Sequence, residues 1–135
     1  MYLRFLPLLV LLFSAKLFAY EFPIKITEYI DDIKVDAYIK KSDIDQELIW
    51  VPFESSPPLS LADALQAIQN YALGADLENL TLIGIELKPI PHHEKHWHYL
   101  VKVKSEVDDT LLPHFFIVLM DGKVISALRE PESIK

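Results

Sequence analysis

The chain has 135 residues, no cysteine and a formal net charge of −7, from 13 basic and 20 acidic residues. Disulfide bonds and a cysteine nucleophile are therefore excluded. An acidic chain without a basic stripe repels phosphate groups, so we expect no nucleic-acid partner and no binding to an anionic membrane surface. The length predicts one domain.

The first nineteen residues have the pattern of a secretory signal peptide. Arg4 gives a positive start, residues 5–13 form a short apolar core, and Ala19 is a small residue at the expected cleavage position. A membrane anchor needs about 18 uncharged apolar residues, and Lys16 interrupts the run too early. We predict a periplasmic or secreted mature domain, residues 20–135, without stable membrane insertion. Cleavage leaves eleven basic against twenty acidic residues, a net charge of −9.

The mature chain opens with alternating apolar and polar residues that predict a β-hairpin. Two runs, residues 24–30 and 33–39, flank a turn at Asp31-Asp32, and Glu28 interrupts the apolar face. The segment then continues as a polar loop, a short strand at residues 48–51 and a proline-rich seam, so residues 20–56 form hairpin and linker. The predicted apolar face consists of Ile24, Ile26, Ile30, Ile33, Val35, Ala37 and Ile39.

Residues 61–73 are predicted to form the principal helix. Ser60 stands at the N-cap position with Asp63 three residues later, and Gly74 is the expected stop. The residues that recur at helical spacing are Leu61, Leu65, Ile68 and Ala72.

Four strands are predicted after this helix. Residues 81–88 and 97–103 alternate in polarity, and the runs 115–120 and 123–128 are joined by Asp121-Gly122, which favours a two-residue hairpin. We therefore predict an α+β fold, in which one principal helix packs on an antiparallel four-stranded meander and an N-terminal β-hairpin is added. Residues 129–135 are predicted to be a tail. The apolar faces of the first two strands are Thr81, Ile83, Ile85 and Leu87, and Trp97, Tyr99, Val101 and Val103.

Three motifs carry a resemblance to a known family. They are the helix start Pro58-Leu59-Ser60-Leu61-Ala62-Asp63-Ala64-Leu65, the alternating strand Trp97-x-Tyr99-x-Val101-x-Val103, and the final Asp121-Gly122-Lys123-Val124. Over residues 57–128 the chain resembles PepSY domains and small secreted PepSY-like proteins. The resemblance implies a PepSY/cystatin-like sheet on one helix, found in protease propeptides and in envelope proteins that bind or restrain other proteins. It implies no catalytic residues. The final turn is shorter than is common in that family, and a histidine cluster precedes the tryptophan strand.

That cluster is the candidate for metal chemistry. Two residues apart on a strand, His96 and His98 would point to one face and could chelate a divalent ion, while a solvated polar loop is the alternative reading. Zinc, copper or nickel could bind incidentally to the histidine cluster without a dedicated metal site. No other cofactor is predicted. The five histidines could also sense pH near 6.5. A hairpin around residues 107–110 would set His114 beside Val103, on the opposite strand face. The candidate ligands are His92, His93, Glu94, His96 and His98.

Aromatic residues offer a candidate binding surface. Trp97 and Tyr99 are expected in the core. Tyr29, Tyr38 and Trp50 are the candidates for an exposed surface, because aromatic groups beside polar ones favour recognition, although core positions are the alternative.

No residue constellation predicts a reaction. The adjacent carboxylates at Asp31-Asp32 and at Asp108-Asp109 fall on expected turns, no serine lies in a Gly-x-Ser-x-Gly setting, and the glycines form no phosphate loop. We therefore expect a non-catalytic module that binds an envelope protein or peptide, with peptidase modulation as the role that the resemblance implies. A histidine-based metal-binding or sensing protein is one alternative, and an envelope hydrolase with an unrecognised site is another. The sequence does not indicate an oligomeric state.

Overall fold

The computed structural model describes residues 22–75, 77, 79–107 and 110–129, so the predicted signal peptide, the predicted turn at Asp108-Asp109 and residues 130–135 of the predicted tail lie outside the described residues. The fold is α+β, as predicted, with one α-helix and seven strands in the described ranges. A short 3-10 helix, Lys41–Asp43, follows the second strand. In chain order the elements are β1 Ile24–Ile30, β2 Ile33–Ile39, α1 Leu61–Gly74, β3 Thr81–Ile90, β4 His93–Val107, β5 Thr110–Leu119, β6 Val124–Ser126 and β7 Leu128–Arg129.

Two antiparallel sheets are formed. The larger sheet has four strands in the order β3-β4-β5-β6, which is the predicted meander. The smaller sheet has the order β1-β2-β7, because the chain leaves the larger sheet at Ala127 and pairs Leu128 with Asp36 of the hairpin. The prediction of one continuous last strand over residues 123–128 was therefore wrong, and part of the predicted tail belongs to the hairpin sheet.

The larger sheet is the middle of three layers. Helix α1 covers one face and the hairpin sheet covers the other, so alternate residues of β5 enter two different cores. This arrangement follows from two apolar faces that each need a cover. The helix-side core includes Ala64, Ile68, Tyr99, Val101, Val103, Phe116, Val118 and Met120. The hairpin-side core includes Ile26, Ile30, Val35, Ala37, Ile39, Ile44, Ile90, Leu100, Phe115, Ile117 and Leu119.

The N-terminal hairpin has the predicted register. Ile26 lies opposite Ala37 and Glu28 opposite Val35, so one face is apolar except at Glu28. Asp31 and Asp32 have φ values of 50° and 65°. Positive φ at both central residues is the signature of the type I′ turn, whose twist matches that of paired strands.

Helix α1 begins and ends as predicted. The backbone N–H of Asp63 donates to Ser60 Oγ at 3.1 Å, and the helix ends at Gly74. Its buried face is made by small residues and one isoleucine, Ala64, Ile68 and Ala72. Leu61, predicted to lie on this face, is half exposed at the edge of the helix.

The hairpin after β5 differs from the prediction. Leu119 N–H donates to Lys123 O at 2.9 Å and Gly122 N–H to Leu119 O at 2.9 Å, which encloses a three-residue loop. A two-residue type I′ turn would need positive φ at Asp121 and Gly122, and here only Gly122 has it, with φ 91°. Gly122 thus occupies the positive-φ position that follows a type I turn in a three-residue hairpin loop.

Two further predictions were wrong. Residues 48–51 form no strand, and β3 and β4 continue to a tight turn at residues 91–92, so most of the histidine segment is strand and not loop. The register of β3 shifts between Leu82 and Gly84, which leaves Ile83 out of the ladder and exposed. In the described part of the chain, no helix is both long and apolar enough to cross a membrane.

Candidate functional site

Strand β3 is the longest edge strand in the part of the chain that the structure describes. It has ten residues and lies at the end of the larger sheet, so one side of its backbone pairs with β4 and the other with no described strand. We call this free side the β3 edge. An unpaired edge presents a row of N–H and C=O groups that can accept another strand. Pro89 and the irregularity at Ile83 restrict the regular part of the edge to residues 84–88.

An apolar groove borders the β3 edge on the helix side. It has a volume of about 460 Å³ and lies between the start of α1 and the middle of β3. Leu61 supplies its exposed wall, and the hydroxyl of Tyr99 donates to the Leu59 carbonyl at 2.6 Å at its base. The groove therefore offers an apolar surface to a ligand, and the hydrogen bond of Tyr99 holds its base in place. Its lining residues are Ser56, Pro57, Ser60, Leu61, Ile85, Leu87 and Tyr99.

A second groove, which we call the polar groove because Lys25, Glu28 and Lys88 are among its lining residues, borders the same edge on the hairpin side and has a volume of about 310 Å³. Lys88 Nζ donates to Glu28 Oε1 at 2.9 Å, and Lys102 Nζ lies 3.8 Å from Glu28 Oε2. The hydrogen bond to Glu28 raises the pKa of Lys88 above its ordinary value, so this lysine is charged at neutral pH. These contacts explain why Glu28 interrupts the apolar face of the hairpin: it joins the two sheets by ion pairs. The lining residues are Lys25, Ile26, Thr27, Glu28, Lys88, Pro89, Pro91 and His98.

His98 is buried beside this polar groove. Its side chain is 1% exposed, and neither ring nitrogen has a hydrogen-bond partner among the described residues. The pKa of His98 is lowered from 6.5 to about 4, mainly by burial and also by the positive charge of Lys88, while Glu28 opposes the shift. The imidazole is therefore neutral at pH 7, with one donor and one acceptor unused.

The other predicted metal ligands are dispersed. His92 occupies the exposed turn with φ 63°, and Glu94 is exposed. The rings of His93 and His96 are 6.4 Å apart, but His96 lines a small cavity with Ile44 and Asp121, separate from the groove of His98. Across the ranges that the structure describes, no three or more His, Cys, Asp or Glu side chains are arranged to hold a metal ion.

His114 lies where the predicted register placed it. It pairs with Val103 across β4 and β5, and its ring stacks with Phe116 at 6.4 Å on the helix side. It is therefore on the opposite face of the sheet from His98.

The candidate aromatic residues do not form one surface. Tyr29 and Tyr38 are exposed on the outer face of the hairpin, as predicted, but the pair of Thr27 and Asp36 lies between them along the strands. Trp50 is elsewhere, with its ring edge-on to Trp97 at a centroid distance of 4.7 Å. Trp97 packs against the helix-side core.

The two grooves were not predicted from the sequence. The only indication of them in the sequence is Glu28, because a carboxylate in an otherwise apolar strand face needs cations from the element that packs on it. The polar groove also needs the placement of the hairpin over the far face of the meander, and the apolar groove needs the start of α1 beside β3. Local patterns contain neither kind of information.

The fold and the grooves together define a small three-layer α+β protein with an open, groove-flanked sheet edge. Comparison with protein-family models, with curated proteins and with solved structures finds no match. The function is therefore argued from the geometry of the chain itself.

Proposed function

We propose that this chain is a non-catalytic recognition protein of the cell envelope, which binds an extended segment of a protein or peptide by strand addition at the β3 edge. The observation that carries the proposal is an edge strand with a groove on each of its faces. In strand addition, main-chain hydrogen bonds supply affinity and pockets for alternate side chains supply specificity.

The two grooves specify the chemistry of the segment. Side chains of an added strand point alternately to the two faces of the sheet. One set would meet Ile85 and Leu87 in the apolar groove, and the other would meet Lys88 and Glu28 in the polar groove. The expected ligand is therefore a segment in which apolar residues alternate with polar ones, the pattern of a half-buried strand.

The envelope location and the kind of partner rest on the sequence. The signal-peptide pattern of residues 1–19 supports export to the periplasm or the medium. The PepSY resemblance over residues 57–128 supports restraint of a peptidase. An inhibitor that pairs with an extended segment of a peptidase would act by occupying it, and this needs no catalytic group of its own.

A peptide-display selection on residues 20–135 tests the proposal. Selected peptides should show the alternating pattern, and hydrogen exchange of the complex should slow at β3 amides between Gly84 and Lys88.

Calorimetry then compares two variants of the same helix. Leu61→Arg places a charge in the apolar groove, whereas Leu73→Arg changes a more exposed leucine at the far end of α1, outside that groove.

We expect Leu61→Arg to weaken binding at least about tenfold, because it buries a charge against Ile85 and Leu87, and Leu73→Arg to leave it unchanged. Equal affinities of the two variants, or exchange protection confined to other strands, would contradict strand addition at this edge.

A further inference from the structure

The loop between α1 and the hairpin sheet presents apolar side chains to solvent. Phe53 is fully exposed, and Ile49 and Val51 are each more than 40% exposed. Three large apolar groups on one short loop form a patch of a kind that marks interaction sites in soluble proteins. We call Ile49, Val51 and Phe53 the apolar tip.

The loop is held rigidly, but not by these side chains. Trp50 N–H donates to Lys95 O at 3.1 Å, and the indole Nε1–H donates to Ser55 O at 2.8 Å. The Trp50 ring packs edge-on against Trp97. The anchor of the loop is therefore Trp50, and the residues on either side of it project outward.

Phe53 stands in a backbone conformation that favours glycine. Glu54 N–H donates to Val51 O at 3.3 Å, which closes a turn with Pro52 second and Phe53 third, and Phe53 has φ 73°. This is the type II arrangement, whose third residue is usually glycine or asparagine because φ is positive there. An aromatic side chain at this position raises the free energy of the fold, and full exposure means that no internal packing compensates for it.

We propose that Phe53 is an anchor residue that inserts into an apolar pocket of a partner protein, with Ile49 and Val51 packing at the mouth of that pocket. The three residues of the apolar tip line neither of the grooves beside β3. Exposed aromatic anchors held on rigid elements carry much of the affinity in protein interfaces. The hydrogen-bonded turn holds the backbone at Phe53, so little backbone conformational entropy is lost on binding.

Charges around the tip specify the partner further. Three exposed acidic residues, Asp45, Glu47 and Glu54, adjoin the tip along the chain, and the exposed Lys95 is joined to the loop by the backbone hydrogen bond from Trp50. Complementarity therefore requires a basic rim around the partner's pocket. Anionic lipid headgroups would meet the same carboxylates and be repelled, as would a second copy of this acidic chain.

A stability measurement on the full chain tests whether the ring is free of internal packing. Phe53→Gly should raise the midpoint of thermal unfolding, because glycine adopts φ 73° without a steric penalty. Phe53→Ala removes the ring but keeps a β-carbon, and it should leave the midpoint nearly unchanged. If both variants unfold at lower temperature than the parent, the ring packs on its own protein and the proposal fails.

A photo-crosslinking amino acid at position 53 of the full chain, in cells that secrete it, tests the partner. The captured protein is then purified, and its affinity is measured for the parent, Phe53→Gly and Leu73→Arg chains at two salt concentrations. Support consists of binding that is at least about tenfold weaker for Phe53→Gly, is unchanged for Leu73→Arg and weakens as salt rises.

Other outcomes overturn the proposal. They are equal binding of Phe53→Gly and parent chain, no crosslinked protein, crosslinks only to a second copy, or sedimentation of the parent chain with vesicles of phosphatidylethanolamine and phosphatidylglycerol. Because Ile49, Val51 and Phe53 line neither groove beside β3, failure here leaves the proposed strand addition as a separate question with its own test.

Discussion

His98 shows how the surroundings of one residue decide its chemistry. Five histidines occur in the chain, and sequence alone treats each as a group with a pKa near 6.5. In the structure their surroundings differ. His92 lies on an exposed turn, whereas His98 is enclosed between the two sheets and faces Lys88 and Glu28. Protonation of His98 would add a buried positive charge next to a lysine, so the folded state favours the neutral ring.

We predict that this ring makes stability fall in mild acid. The pKa of His98 is about 4 in the folded protein and 6.5 when unperturbed, so between these values the unfolded chain binds the extra proton. Its contribution is therefore fully present above about pH 6.5 and is lost as the pH falls toward 4, by on the order of 2–3 kcal/mol. Urea unfolding of residues 20–135 at a series of pH values from about 4 to about 7.5 measures this change.

The control for this prediction is a matched pair of histidine variants. His98→Leu should flatten the part of the pH dependence that belongs to the ring, while carboxylate titration remains. His92→Asn, at an exposed position whose positive φ asparagine tolerates, should retain the full dependence. Identical pH profiles in the two variants would show that His98 is not the titrating group.

At the scale of elements, the turns show where the sequence pattern and the backbone agree. Asp31-Asp32 forms a type I′ turn although aspartate is a weaker choice than an asparagine–glycine pair for two positive φ values. The apolar parity of β1 and β2 imposes this register, since a slip of one residue would turn Ile26 and Val35 to solvent. In the last hairpin, the register of the flanking strands leaves a loop of three residues, and among them only Gly122 has positive φ.

The double substitution Asp31→Asn/Asp32→Gly should therefore stabilise the protein. We expect a gain of about 0.5–1 kcal/mol, because asparagine and glycine adopt positive φ more readily than aspartate. Denaturant unfolding at neutral pH measures it, with Asp31→Ala/Asp32→Ala as the control that should lose stability. A lower stability for the asparagine–glycine variant would show that the two carboxylates have a role beyond the turn.

At the scale of the whole molecule, the meander is a central layer that depends on both of its covers. Leu100, Phe115 and Ile117 on one face pack against the hairpin, and Val101, Phe116 and Val118 on the other face pack against the helix. Burial of both faces stabilises the fold by removing apolar surface from water. Residues 57–128 are thus only one part of a three-layer fold in which the hairpin covers the far face of the meander.

A fragment of residues 57–129 should therefore not fold as a monomer. Loss of β1 and β2 uncovers the apolar face that includes Ile90, Leu100 and Leu119, and it leaves β7 without its partner β2. Size-exclusion chromatography and thermal circular dichroism should show association and no cooperative transition, with residues 20–135 as the control. A monomeric fragment with a sharp transition would mean that the hairpin is an accessory to an autonomous domain.

The outcome at particular residues shows what could be predicted and why. The register from Ile26 to Ala37, the Ser60 cap and the pairing of His114 with Val103 were predicted, because each depends on spacing within a short stretch of chain. The exposure of Ile83 was not, because it follows from a bulge that no local residue indicates. The split between β6 and β7 at Ala127 was missed for a related reason, since a strand pattern does not say which sheet it will join.

The candidate sites show the same difference between features that local spacing determines and features that tertiary packing determines. Local alternation, capping and turn residues were enough to determine the class of fold and its element order, since side-chain parity and helical period act between near neighbours. Only the tertiary structure decided that the hairpin covers the far face of the meander. That placement buries His98, brings Glu28 against Lys88 and Lys102 and forms the polar groove beside β3. Such properties depend on which distant segments pack together, and this is decided by the burial of whole apolar faces rather than by any single motif.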